Sequence, residues 1–157
     1  MTRLTLIIIT FITFVFATGC KNDGRSNFSL TIKHYAGAAG LTLIYQLDEN
    51  GLQIDTNCDL ENCKQKTIYS RAFSRSESDS ILSFLNSLQL DTLKPLYQTK
   101  GVWDGLVTRL KFRKSLFSSQ SSTFENFNTP TTDTLFKFVD NLIPPKKYRF
   151  YTWGQDS

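Results

Sequence analysis

The chain has 157 residues, 40% of them hydrophobic, with 18 basic against 14 acidic side chains and a formal net charge of +4. A chain of this size buries about two thirds of its unfolded surface, enough for a core without staples, and its mild, unclustered basic excess falls short of the footprint of a nucleic-acid binder. Three cysteines and a single histidine exclude a histidine-based metal centre, and neither a metal nor another cofactor is expected.

In chain order, the first feature is one positive side chain, Arg3, ahead of an apolar run over residues 4–17 that is broken only by Thr5, Thr10 and Thr13. A charged start, a short apolar stretch and small residues at its end mark a secretory signal. A spanning helix needs about 20 apolar residues, and this run stops short of that at Gly19-Cys20. The ending Ala17-Thr18-Gly19-Cys20 resembles the lipobox of bacterial lipoproteins, with Ala17 where that family favours leucine. The resemblance implies a diacylglyceryl group on the Cys20 thiol, removal of residues 1–19, and acylation of the new amine. The competing reading is an ordinary signal cut near Gly19 that leaves Cys20 a free thiol. Two or three acyl chains would hold the protein on a membrane without help from its fold, since each buried methylene contributes about 0.8 kcal/mol.

In many Gram-negative lipoproteins an Asp after the cysteine favours inner-membrane retention, so Lys21 at that place implies, through the resemblance, the outer membrane, on its periplasmic or its surface face. Lys21-Asn22-Asp23 resembles, with one acid only, the lysine-plus-acidic export signals of Bacteroidota surface lipoproteins. The expected organisation is a signal peptide over 1–19, a polar lipidated tether over 20–27 and one domain over 28–157.

Phe28, Leu30 and Ile32 alternate with Ser29, Thr31 and Lys33, the period of a half-buried strand. The small residues 36–40 permit a turn or bulge, and residues 41–47 form a second strand. Asp48-Glu49-Asn50-Gly51 predicts a hairpin, because Asn-Gly tolerates positive φ at both central positions. Residues 52–55 start the return strand, the cysteine segment interrupts it, and residues 66–72 continue extended. Ser74 and Glu77 fit a capping box. The helix behind it carries Ile81, Leu82, Leu85 and Leu88 on one face, and Pro95 keeps it from extending through Lys94. Residues 106–113 make the strongest strand, the Ser-rich residues 115–122 a loop or hairpin tip, and residues 123–128 pair back. Thr129 caps a second helix with Pro130 at its first position. Its stripe is Leu135, Phe136, Phe138, Val139 and Leu142, and Pro144-Pro145 ends it. The tail Tyr148-Arg149-Phe150-Tyr151 is too aromatic to stay free. This order predicts an α+β domain: an antiparallel sheet of about five to seven strands with two helices packed on one face.

The candidate sites are few. Arg109, Lys111 and Arg113 point to one side of their strand, with Lys114 adjoining, and such a row can receive an acidic partner, a phosphate or a lipid headgroup. The competing reading is a wetted face opposite the core. Trp103-Asp104 enters that strand between glycines, either as a recognition tryptophan or as a ring lidding the core above a turn. Asp55, Asn57, Asp59 and Glu61 imitate the start of a calcium loop, but Leu60 and Lys66 stand where glycine and a bidentate acid are required. His34 has no GxSxG elbow or SxxK motif to serve and reads as a surface or strand-end residue.

No catalytic constellation is recognisable, so the expected function is a non-enzymatic binding domain. Acylated Cys20 would hold it to a membrane of the cell envelope, where its partner is another envelope protein or component. The alternatives are an immunity or inhibitor lipoprotein that blocks a periplasmic toxin or hydrolase, and an envelope hydrolase with a carboxylate site. With Cys20 lipidated in an oxidising compartment, Cys58 and Cys63 are left as a pair, and a local disulfide is expected. Mass spectrometry without reductant should then find Cys58 and Cys63 joined; two alkylatable thiols there would refute the bond.

Overall fold

A computed structural model describes residues 27–36, 40–58, 64–101, 106–115, 118–144 and 148–150. Among these residues seven strands form one open, mostly antiparallel sheet: β1 (Ser29–Ala36), β2 (Leu41–Asp48), β3 (Gly51–Cys58), β4 (Lys66–Ala72), β5 (Leu96–Gln98), β6 (Val107–Ser115) and β7 (Ser118–Glu125). Their order across the sheet is β4-β3-β2-β1-β6-β7-β5, and only the β5–β7 pair is parallel. Helices α1 (Arg75–Ser87) and α2 (Pro130–Asn141) pack into the same core as the inward side chains of the sheet. The α+β architecture is therefore the one expected.

The alternation in β1 decides which face is buried. Leu30, Ile32 and His34 point inward, and the register carries that choice across the sheet. Leu30 lies opposite Leu47 and Phe112, while Ile32 lies opposite Tyr45 and Leu110. Ile81, Leu85, Leu135, Phe136 and Val139 close this layer from the helices, and Ile143 joins them from just beyond α2. Each fully buried aliphatic side chain of this kind contributes about 2 kcal/mol. Both helix starts are capping boxes: Ser74 with Glu77, and Thr129 with Thr132 behind Pro130. Phe84 stacks on Phe138 at 3.9 Å between ring centroids, which ties the two helices to each other.

Several local expectations change. Helix α1 stops long before Pro95: Leu88 is its C-cap and Gln89 turns left-handed at φ 49°. The Asp48–Gly51 hairpin is present, but its turn residues are Glu49 and Asn50, and neither Asn50 nor Gly51 takes a positive φ. Instead Asp48 Oδ1 accepts from the backbone N–H groups of Asn50 (2.7 Å) and Gly51 (3.0 Å). The cysteine segment does not interrupt one strand; it joins two, since β3 runs to Cys58 and β4 returns antiparallel beside it. Most of the serine run is strand rather than tip, with Ser122 buried among the core positions of β7. Strand β5 escapes sequence reading because three residues behind a proline carry no period. The aromatic tail packs as expected where it is described: Tyr148 and Phe150 rest on the core.

Gly51 is required for a reason other than φ. A Cβ there would meet the backbone oxygen of Arg71 at 2.4 Å and its carbonyl carbon at 3.2 Å, and these atoms belong to the neighbouring strand. Gly51→Ala should therefore push β3 and β4 apart and cost about 1–3 kcal/mol. A urea titration reads this as a lower midpoint at unchanged slope; an unchanged midpoint would show that the strands can yield freely.

Candidate partner-binding surface

On the face of the sheet away from the helices the register places side chains in rows, in which Ile44 and Asp55 are buried and the cations exposed. One row crosses all seven strands: Leu96, Thr123, Arg109, Lys33, Ile44, Asp55 and Thr67. A second runs Ser121, Lys111, Thr31, Gln46, Gln53 and Ser70, and a third runs Ser119, Arg113, Ser29 and Asp48. Arg109, Lys111 and Arg113 thus share this face, as their spacing predicted, and all three are exposed. Lys33, also exposed, lies directly opposite Arg109. Lys114 does not join them: it lines a small cavity of about 30 Å³ on the helix side with Leu85, Leu90 and Phe112.

Like charges directly opposite on neighbouring strands are destabilising. The Arg109 guanidinium lies over the Tyr35 ring at 5.3 Å from its centroid, a cation–π contact that offsets part of that cost. Among the described residues the only salt bridge joins Arg71 to Glu77, on the far side of the sheet from this row. Among the described residues, three acids share this face with the cations. Asp48 holds the hairpin turn, and Glu125 lies opposite Val107, diagonal to Arg109, with no salt bridge between Glu125 and Arg109.

Asp55 is the third, only 1% exposed. Its Oδ2 accepts from the Nε2 groups of Gln46 (2.8 Å) and Gln65 (2.8 Å). Its Oδ1 accepts from Thr67 Oγ1 (2.7 Å) and Gln53 Nε2 (2.9 Å). Burial pushes this carboxyl up, but the four donors together outweigh it and hold the group below the ordinary carboxylate range. Sequence reading set Asp55 in an imitation calcium loop. Gln53 is a neighbour on the same strand, whereas the other three donors come from β2, β4 and the residue before β4, and only the fold brings them together. Both of its oxygens are taken by N–H and O–H donors.

His34 is not at the surface. It is 5% exposed in the core row, with Nδ1 3.0 Å from Thr108 Oγ1 and its ring 4.3 Å from that of Phe150. Burial lowers its pKa from 6.5 to about 4, so the imidazole stays neutral where a free histidine would start to charge. Phe150 reaches it because the Asp140 carboxylate, at the end of α2, accepts from the Phe150 backbone N–H. Tyr45 donates to the Tyr148 carbonyl at 3.2 Å, which fastens the same segment to β2.

Cys20, Cys63, Trp103 and Asp104 lie outside the described residues, as do Tyr151 and the side chain of Cys58. Of the predicted partner-binding residues, only the cations are described, and Lys33 is the member that sequence reading missed. Its signal was present in the β1 alternation, but which strand would lie beside β1 was not. The chain matches no protein-family model and no curated protein.

Histidine burial has a signed consequence for stability. The folded-state pKa lies below the unfolded value, so the contribution is complete above pH 6.5 and is lost as pH falls toward about 4. Chemical denaturation across that window should show a loss of about 3 kcal/mol. In His34→Gln the decline between pH 6.5 and 4.5 should flatten, while the loss below pH 4 that accompanies protonation of Asp55 persists. An unchanged slope in the variant would show that His34 is not the group responsible.

Proposed function

We propose that this chain is a lipid-anchored protein of the cell envelope, held by acyl chains on Cys20 and sited at the outer membrane. Its α+β domain binds another envelope component through the cationic side of its sheet and catalyses no reaction. The observation that carries the binding role is the cluster of Lys33, Arg109, Lys111 and Arg113: same-sign, exposed, on adjacent strands, with no acid paired to any of them among the described residues. Cations held next to each other at a cost are complementary to a negatively charged partner, which relieves the repulsion when it binds.

Other features support the reading without carrying it. His34 is committed to core packing, and the carboxylates of Asp55 and Asp140 are engaged by hydrogen-bond donors from the fold itself. The lipobox-like Ala17-Thr18-Gly19-Cys20 supplies the address.

Two substitutions test the two halves separately. Cys20→Ala should move the protein out of the membrane fraction and abolish acyl labelling, whereas unchanged partition would reject the anchor. Arg109→Glu with Arg113→Glu should reduce crosslinking to the envelope partner in intact cells at least tenfold, with the melting curve nearly unchanged. Equal crosslinking would return these residues to plain solvation.

A further inference from the structure

The cationic cluster has the shape for an extended surface rather than for a small anion. Alternate residues on a strand are about 7 Å apart, so the charges of Arg109, Lys111 and Arg113 form a line roughly 14 Å long. Lys33 stands beside one end of it, and Thr31, Ser119, Ser121 and Thr123 place hydroxyls between and beside the cations. At the Arg109 end the same row finishes on Leu96, which is 51% exposed. Basic side chains, interleaved hydroxyls and an exposed leucine at the margin match the chemistry of a phospholipid headgroup layer: phosphates to pair, ester oxygens to accept, and acyl chains just below.

The chain path brings such a layer to this face. Arg113 lies opposite Ser29, the first residue of β1. Eight residues lead from Cys20 to Phe28, which limits the separation to about 28 Å. A lipid on Cys20 would thus hold the Arg113 end of the row within reach of its own membrane, at an effective concentration that turns weak surface attraction into persistent contact. We propose that the Lys33–Arg109–Lys111–Arg113 face lies on the anionic phospholipid headgroups of the membrane that carries the anchor. The helical layer, α1 and α2, is then turned outward. This names the partner in the function proposed above and rests on that reading for the anchor, although the attraction itself does not require the lipid.

Each basic side chain close to an anionic surface is worth about a fivefold gain in partition. The test uses the unlipidated chain from residue 20 onward with Cys20→Ala, which retains every core residue of the fold. Cosedimentation with vesicles rich in phosphatidylglycerol should exceed that with pure phosphatidylcholine vesicles and should weaken as salt is raised. Replacing Arg109, Lys111 and Arg113 together by Gln should lower partition on the order of a hundredfold. Replacing Lys64, Lys66 and Lys137 by Gln removes the same charge elsewhere and should cost far less. If the first triple variant fails to fold, Thr31→Glu with Ser121→Glu sets two acids among the intact cations and should abolish binding as well.

Equal binding to both kinds of vesicle, or equal loss in the two triple variants, overturns the proposal. So does indifference of the parent chain to phosphatidylglycerol while its cationic face still captures an acidic protein. Because the assay contains no lipidated protein, its failure is distinct from failure of the anchor, which Cys20→Ala fractionation reads in cells.

Discussion

The structure depends on one constraint: β1 is hydrogen-bonded on both sides, to β2 and to β6, and its side chains alternate without a break from Phe28 to His34. A strand in the middle of a sheet cannot shift register by one residue without turning every inward side chain out. Once Leu30 and Ile32 are committed to the helix side, Lys33 is committed to the opposite side, and β6 must place Arg109 beside it. The hydrophobic choice and the electrostatic outcome are the same choice. Burial of the Leu30–Ile32 face is worth several kcal/mol in all. The repulsion between two exposed cations is small by comparison, so the core wins and the cation cluster follows.

The core is also held shut from the end of the chain. Asp140 at the end of α2 holds the Phe150 backbone, and Arg149 Nε donates to the Ile143 carbonyl at 2.8 Å. Phe150 then stacks on Phe136 at 4.2 Å and covers His34. Asp140, Arg149 and Tyr45 thus hold the segment whose Phe150 ring covers the only histidine. Its neutrality follows from that enclosure, and with it a pH sensitivity that no local motif announces.

The face of the sheet away from the helices divides by charge. On the β1–β6 side the basic groups are exposed and unpaired with acids among the described residues, whereas on the β2–β3–β4 side Asp55 is sunk and saturated by three glutamines and a threonine. A buried carboxylate with four donors is costly to form and stable once formed, because each donor removed leaves charge unsatisfied in a dry place. Through Gln46, Gln53 and Thr67 it ties β2, β3 and β4 to one another. Among the described residues, the carboxylate that shares a row with Lys33 and Arg109 is thereby withdrawn from them.

Periodicity and caps are local properties, so both helix starts, the apolar stripes and the alternation in β1 and β6 were legible in the residues themselves. The α+β class followed from their order, and Arg109, Lys111 and Arg113 could be assigned to one side of a strand before any neighbour was known. Strand adjacency is not local. The pairing of β1 with β6 spans more than seventy residues, and it alone sets Lys33 opposite Arg109 and Thr108 beside His34. The same holds for Asp55, whose donors meet only when β2 and β4 flank β3, and for Gly51, whose missing Cβ answers to the backbone of Arg71. Sequence determined which side of each element would seek the core, because that depends on the spacing of apolar residues along one stretch of chain. Tertiary structure decided which charges would stand side by side, because that depends on which distant strands the burial of those apolar residues brings together.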